Sequence, residues 1–186
     1  MSADTPDLIL DAVQSVIVRD GVRGASMRNV AEEADVSVGL LSYHFDDKDS
    51  LILAAFDRST ERLLAASVEA AAAVDAPEAK VRAFLRGSYT REFLDGDYLR
   101  LRISLWAVAV TDPAVAALDQ EFYRTYSDAW RQLIAAARPD LSAEDLRSRM
   151  VTAIAASNGI WLDWARFADA AALERGLIEV ESMVLG

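Results

Sequence analysis

The sequence predicts an all-α protein of nine helices, with a small three-helix head at the N-terminus and a larger helical domain behind it. Three observations predict it. Apolar residues recur at three- and four-residue spacing along most of the chain, the period of helices with one buried face. Cap residues and breakers cut that pattern into nine segments, with little strand signal between them. The connections are short, as packed helical neighbours require. A chain of 186 residues that is 53% hydrophobic and 26% charged can bury a real core and is not a disordered polymer.

The first helix opens at Thr5-Pro6, a cap followed by proline, carries the stripe Ile9, Ala12, Val13, Val16, Ile17, and ends at Asp20-Gly21. Ser26 caps a short second helix with Val30, Ala31 and Ala34. Asp35-Val36-Ser37 is a tight break, and Ser37 caps a third helix over Val38 to His44. Asp46 or Asp47 caps a long fourth helix from about Lys48 to Val74. The fifth starts at Asp75-Ala76-Pro77 and is expected to run to Asp95-Gly96-Asp97. The sixth covers about Tyr98 to Val110. Asp112-Pro113 opens the seventh, which stops before Arg138-Pro139. Ser142-Ala143-Glu144-Asp145 resembles a capping box and opens the eighth, through about Phe167; the ninth runs from about Ala170 to Val184.

Charge and composition exclude some functions. There is no cysteine, hence no disulfide and no thiolate metal site, which fits a reducing cytoplasm. No apolar run approaches the roughly 18 residues of a membrane span, and the stretch from Met1 to Asp7 has neither the basic nor the apolar region of a signal peptide. No glycine-rich phosphate loop, no spaced metal ligands and a single histidine give no catalytic site, no metal site and no cofactor. Net charge is −11, and the first 60 residues hold five basic residues (Arg19, Arg23, Arg28, Lys48, Arg58) against eleven acids. Composition therefore argues against nucleic acid, which usually meets a basic surface.

Local pattern argues the other way. From Ser26 to Leu53 two short helices meet at a three-residue turn, and Val30, Ala31, Ala34, Val36, Leu41 and Phe45 can lock them at a steep angle. The second helix then projects Gly39, Leu40, Ser42, Tyr43 and His44. A short helix buttressed by others and shown to a partner is what reading a major groove needs.

Val30-Ala31, Ala34, Val36-Ser37, Gly39, Tyr43, Phe45, Lys48 and Leu51, with Gly21 and Gly24 upstream, make this segment resemble the helix-turn-helix of the TetR family. The resemblance implies a DNA-binding domain over 1–47 and an effector-binding and dimerisation domain over 48–186, joined by helix four. It implies that Ser37, Val38, Gly39 and Leu40 face base edges or thymine methyl groups, that Tyr43, His44, Lys48 and Arg28 touch phosphates, and that Ser42 shares the presented face. Two departures stand out. Asp35 replaces the turn glycine, and aspartate tolerates the left-handed conformation that the turn requires. The N-terminal arm is often basic in the family; here it holds Asp4, Asp7 and Asp11, so no DNA contact is expected from it.

Trp106-Ala107, Asp112-Pro113, Tyr123, Tyr126 and Asn158-Gly159-Ile160-Trp161-Leu162 resemble the effector domain of the BetI-like branch of that family, with Asn158 in place of an aspartate. The lining expected for an effector is Phe84, Trp106, Tyr123, Tyr126, Asn158 and Trp161, aromatic with one amide, which suits a small apolar or cationic organic molecule. The same aromatics, with Trp130 and Trp164, would equally serve as core and dimer packing. Asn158 is expected on a buried stripe with Met150, Ile154, Trp161 and Ala165, and Glu92, Asp95 and Asp97 are a candidate acidic pocket for a cation.

A two-fold homodimer is expected through helices eight and nine: Ala155, Ala156 and Gly159 allow close approach, and Leu173, Leu177, Val180 and Val184 supply an apolar stripe. The function implied is a ligand-responsive regulator, a repressor on an inverted-repeat operator of double-stranded DNA, released by its effector. The competing reading is a ligand-sensing or protein-binding module whose acidic head no longer binds DNA.

Overall fold

The computed structural model describes residues 5–186, so the expectations for Asp4 and for the start of the arm lie outside the described residues. Among those described, the chain forms nine helices and no strand: α1 Thr5–Gly24, α2 Met27–Glu33, α3 Val38–His44, α4 Lys48–Ala72, α5 Pro77–Gly87, α6 Gly96–Ala109, α7 Pro113–Ala137, α8 Ala143–Phe167 and α9 Ala170–Leu185.

By packing, the chain forms two compact units. One compact unit is Met1–Glu61 with Arg100–Gln120, the other Arg62–Leu99 with Glu121–Gly186, so the boundary falls inside α4, α6 and α7. The reason lies in the first unit's core. Leu51, Ile52, Ala55 and Phe56 of α4, Leu101 and Leu105 of α6, and Val115 of α7 are buried in the same cluster as Ile9, Val13, Val16 and Ile17 of α1, Val30 and Ala31 of α2, and Leu41 of α3. Three helices of this size bury little apolar surface by themselves, and the extra segments complete the core.

Capping side chains set the start of several helices. Ser26 Oγ accepts from the Asn29 N–H at 3.2 Å, Ser37 Oγ from Leu40 at 3.1 Å, and Asp112 Oδ1 from Ala114 and Val115 at 2.9 and 3.1 Å. At α4 the cap is Asp47, whose Oδ1 accepts from the Ser50 N–H at 2.8 Å while Ser50 Oγ accepts from the Asp47 N–H at 3.1 Å. Helix α1 breaks at Gly21, at φ 72° and ψ 172°, as its Asp-Gly signal predicts, and one further turn runs to Gly24.

The second unit packs α5, α8 and α9 with parts of α4, α6 and α7 around Phe84, Leu85, Trp130, Ile134, Ile154, Trp161, Leu177 and Val180. Arg86 Nε and Nη2 donate to Glu181 and Glu174, both at 2.7 Å, tying α5 to α9. The last carbonyls of α9, which have no partner within the helix, accept from arginines: Leu185 from Arg138 at 2.9 Å, Met183 from Arg149 at 3.0 Å.

Helix α5 is shorter than expected. It stops at Gly87, and residues 88–95 form turns. Val81, Leu85, Tyr89 and Phe93 are four apart and all buried, so helical spacing continues across a break that the sequence pattern does not mark. Tyr89 is held in the turn segment by its own bond, Oη donating to the Ser157 carbonyl at 2.8 Å. Gly87 allows a close approach: a Cβ there would lie 2.7 Å from the Ser67 Cα and 3.0 Å from the Ala66 carbonyl oxygen of α4. Gly87→Ala should therefore force the two backbones apart and cost about 1–3 kcal/mol, as overpacking does. Urea unfolding should show a lower midpoint with an unchanged slope, and an unchanged midpoint would refute the contact.

Candidate functional site

The α2–α3 turn is built by one residue in an unusual conformation. Asp35 has φ 52°, in the left-handed region, as expected for a residue that replaces the turn glycine. The Val36 N–H donates to the Ala31 carbonyl at 3.0 Å and the Asp35 N–H to Glu32 at 3.3 Å, so the last carbonyls of α2 are satisfied and the chain reverses. Val36 then packs on the same core as Val30 and Ala31, completing the motif with an apolar contact.

Helix α3 follows with seven residues, of which only Leu41 is buried. Leu41 is fully inside, Phe45 just beyond the helix is half-buried, and Ser37 holds the first turn. Everything else faces out: Val38 is 46% exposed, Leu40 40% and Tyr43 82%. Gly39, Ser42 and His44 share the exposure, and the Tyr43 and His44 rings meet edge to face at 5.1 Å. The sequence-predicted set Ser37, Val38, Gly39, Leu40, Ser42, Tyr43 and His44 is thus brought together on one short helix and its cap.

The basic residues around it are sorted by the ion pairs they make. Arg19 pairs with Glu33 at 2.6 Å and Asp20 at 3.0 Å, and Arg58 with Asp11 at 2.6 Å and Asp7 at 3.5 Å. The side chains of Arg23 and Arg28 are exposed and carry no ion pair among the described residues. Lys48 is half-buried, its Nζ donating to the Arg23 carbonyl at 3.2 Å, and Asn29 Nδ2 donates to the Gly24 carbonyl at 2.9 Å. These two bonds gather Arg23, Arg28 and Lys48 at the α1–α2 corner. Arg23 was not among the residues singled out from sequence, since only its neighbours' contacts bring it there. The start of α4, beside Lys48, is closed by its own cap. The Asp47 carboxylate already occupies it, held below its ordinary pKa by the Ser50 backbone N–H and then by the Ser50 hydroxyl.

The expected effector residues are dispersed. Phe84 and Tyr126 meet at 5.2 Å, with Trp130 5.4 Å from Phe84, in a buried cluster whose hydroxyls run from Tyr126 Oη to Ser88 Oγ at 3.1 Å and on to Ser67 Oγ at 2.8 Å. Trp161 is buried against Tyr89 and Tyr98, at 6.0 and 5.7 Å between ring centroids. Burial pushes the Tyr89 phenol pKa well above its usual value and keeps it protonated. Trp106 belongs to the first unit, half-buried, with the Arg102 guanidinium 5.2 Å from its ring centroid. Tyr123 is 43% exposed. Asn158 is exposed, correcting the buried stripe expected of it. Steps of four residues drift about 40° around a helix, so the buried face of α8 runs Ile154, Ser157, Trp161 and leaves Asn158 outside. The acidic trio is also used locally: Glu92 pairs with Arg62, and Asp95 Oδ1 accepts from the Asp97 N–H at 2.9 Å. Trp164 donates Nε1–H to the Leu94 carbonyl at 2.8 Å, as a packing residue does.

Comparison with known proteins decides the family. Residues 9–55 match the model for bacterial regulatory proteins of the tetR family, and residues 77–184 match the BetI-type transcriptional repressor C-terminal model. The HTH-type transcriptional regulator BetI of Pseudomonas aeruginosa is 32% identical over 164 residues, covering 87% of this chain and 79% of the relative. The chain belongs to the TetR family. Its fold is shared by a TetR-family regulator from Rhodococcus sp. (26% identity, TM-score 0.83, 99% of this chain and 100% of that one). It is shared too by a transcriptional regulator from Saccharomonospora viridis in complex with choline (15% identity, TM-score 0.80, 96% and 94%). This TetR-family chain is accordingly a DNA-binding transcription regulator and not an enzyme. Among the described residues no single helix is long and apolar enough to cross a membrane, and no group of side chains could hold a metal ion.

Asp35 gives the site its first test. Asp35→Gly should raise stability by up to about 1 kcal/mol by relieving a left-handed non-glycine residue. Asp35→Asn keeps the turn and removes one negative charge beside α3, so DNA affinity should rise severalfold at low salt and the gain should shrink as salt is added. Fluorescence anisotropy with labelled DNA checks this; equal affinity of parent and Asp35→Asn at low salt refutes it.

Proposed function

We propose that this chain is a repressor that binds an inverted-repeat operator as a homodimer in the cytoplasm and leaves it when a small organic effector binds. The observation that carries the reading is the exposed face of α3, held rigidly by Leu41 and the Asp35 turn, with Arg23, Arg28 and Lys48 at the adjoining corner. In this reading residues 1–47 are the DNA-binding segment, and 48–186 bind the effector and the second subunit. Ser37, Val38, Gly39 and Leu40 meet base edges. Ser42, Tyr43, His44, Arg28 and Lys48 meet the backbone.

Dimerisation falls to α8 and α9: on α8 by the small residues Ala155 and Gly159 that the sequence suggests, on α9 by another face than the expected stripe. Leu177, Val180 and Val184 are buried in the subunit's own core and Leu173 packs against it, so that stripe is not free for a partner. What α8 and α9 leave outside is Ala155, Gly159, Leu162 at 42% and Ile178 at 50% exposure. These small and apolar positions support a two-fold helical interface.

The effector reading keeps Phe84, Tyr126 and Trp161 as the apolar surroundings of the ligand, with Tyr123 and Asn158 as further candidates in the same compact unit; Trp106, in the other unit, is a separate candidate. The aromatic character supports a cationic or apolar molecule. The choline-bound regulator of the same fold makes quaternary ammonium compounds the first class to screen. An effector at 100 times its dissociation constant should stabilise the fold by about 2.7 kcal/mol, read as a thermal shift, and should release the operator. A compound that stabilises without releasing DNA is not the inducer.

The test of DNA binding is a gel shift against the DNA flanking the protein's own gene, with Tyr43→Ala and Lys48→Ala. Each should weaken binding while the dimer stays folded. Log affinity should fall with log salt by about 0.9 per neutralised phosphate. With so few unpaired cations on the head, the total slope should be shallow. Operator binding by both variants equal to the parent's would refute the assignment. No binding by the parent itself would favour a sensing module with an inactive head.

A further inference from the structure

An open groove of about 540 Å³ lies between α7 and α8, entirely within the second compact unit. Its apolar wall includes Leu146, Met150 and the half-exposed Tyr123. Its charged residues are three arginines, Arg124, Arg131 and Arg147, and one aspartate, Asp128. In a chain of net charge −11 this is a local reversal of sign. Arg124 pairs with Glu121, and Arg131 pairs with Asp128 at 3.2 Å in the same groove. Arg147 is exposed and carries no ion pair or hydrogen bond among the described residues.

A second, independent observation lies in the same wall. Ser127 lines the groove, is 9% exposed, and its Oγ has no hydrogen-bond partner. A helical serine can bond the carbonyl four residues back, and Thr125 on the same helix does so, to Glu121 at 3.1 Å. Ser127 does not. A buried hydroxyl left without a partner is destabilising, and the acceptor it lacks is what a ligand anion provides.

We propose that the α7–α8 groove binds a small organic anion with an apolar body, such as a carboxylate on a hydrocarbon frame. Arg147 pairs with the carboxylate, Arg131 turns from Asp128 to share it, and the Ser127 hydroxyl donates to it. The body lies on Leu146, Met150 and Tyr123. The opposite charge of groove and ligand selects this occupant over the cationic or apolar effector considered above. The site does not depend on the DNA-binding reading.

The experiment is isothermal titration calorimetry of the full chain with octanoate, and with octan-1-ol and octylammonium as matched neutral and cationic probes. Octanoate should bind saturably, once per chain, and more weakly as salt rises. Octan-1-ol and octylammonium should not compete. Arg147→Ala should weaken octanoate by about tenfold or more, the worth of a charge-assisted hydrogen bond. Arg166→Ala, an exposed arginine of α8 outside the groove, should leave binding unchanged. Ser127→Ala should weaken octanoate severalfold while raising the thermal midpoint, because it removes an unpaired buried hydroxyl; a merely structural serine would give loss or no change in both. Binding of octan-1-ol as tight as octanoate, equal loss in Arg147→Ala and Arg166→Ala, or no octanoate binding would each overturn the proposal. So would conversion of the dimer to monomer by Arg147→Glu in sedimentation, which would mean that a second copy fills the groove. Operator binding by Arg147→Ala, measured by gel shift, should equal the parent's. An octanoate site in a chain that fails to bind DNA would leave the groove standing and refute only the regulatory reading.

Discussion

Helix α3 has seven residues, and a helix of that length is not stable by itself in water. Most of the first compact unit can be understood as the means of holding it. Leu41 supplies the one fully buried side chain, Ser37 satisfies the first turn, and the Asp35 reversal fixes the direction in which the helix leaves α2. The core behind Leu41 is large because the support must be rigid: it draws on α1, α2, α4, and parts of α6 and α7. A helix anchored this way can afford to present side chains that would otherwise be buried, Val38, Leu40 and Tyr43 among them.

Electrostatics constrains the same surface from the other side. An acidic chain repels a polyanion at long range, and two of the head's five basic residues, Arg19 and Arg58, are neutralised in ion pairs while Lys48 is tied to the Arg23 carbonyl. Arg58, with its side chain 16% exposed, stitches α4 to Asp7 and Asp11 of α1 rather than facing outward. In the proposed reading a small corner, Arg23, Arg28 and Lys48, is left for DNA, effective only within a Debye length or so. On that reading discrimination rests on fit and apolar contact more than on attraction.

The helices and the head were readable in the sequence because their signals are local. Ser26, Ser37 and Asp112 cap where their identity says they should, and Asp35 takes the left-handed conformation that its place in the turn demands. What could not be read is set by angles and by partners distant in sequence. Asn158 fell on the wrong side of α8 because a four-residue step was followed one turn too far. Tyr89 and Phe93 continue the spacing of α5 beyond its end, so periodicity concealed the break. The α9 stripe was rightly apolar, but whether such a stripe faces the subunit's own core or a second subunit is not a property of the stripe. Arg147 and Ser127 left no trace in the pattern, since neither an unpaired arginine nor an unpaired serine can be told from sequence.

The contact of Gly87 with Ser67 has a mechanical consequence. Side chains between two helices act as bearings: they can change rotamer and let one helix slide over the other. Where main chain touches main chain there is no such play. The end of α4 and the end of α5 are therefore seized together at this point, and the hydroxyl chain from Ser67 through Ser88 to Tyr126 extends the joint to α7. With no side-chain cushion at this joint, a shift of α5 at Gly87 bears directly on the α4 backbone at Ser67.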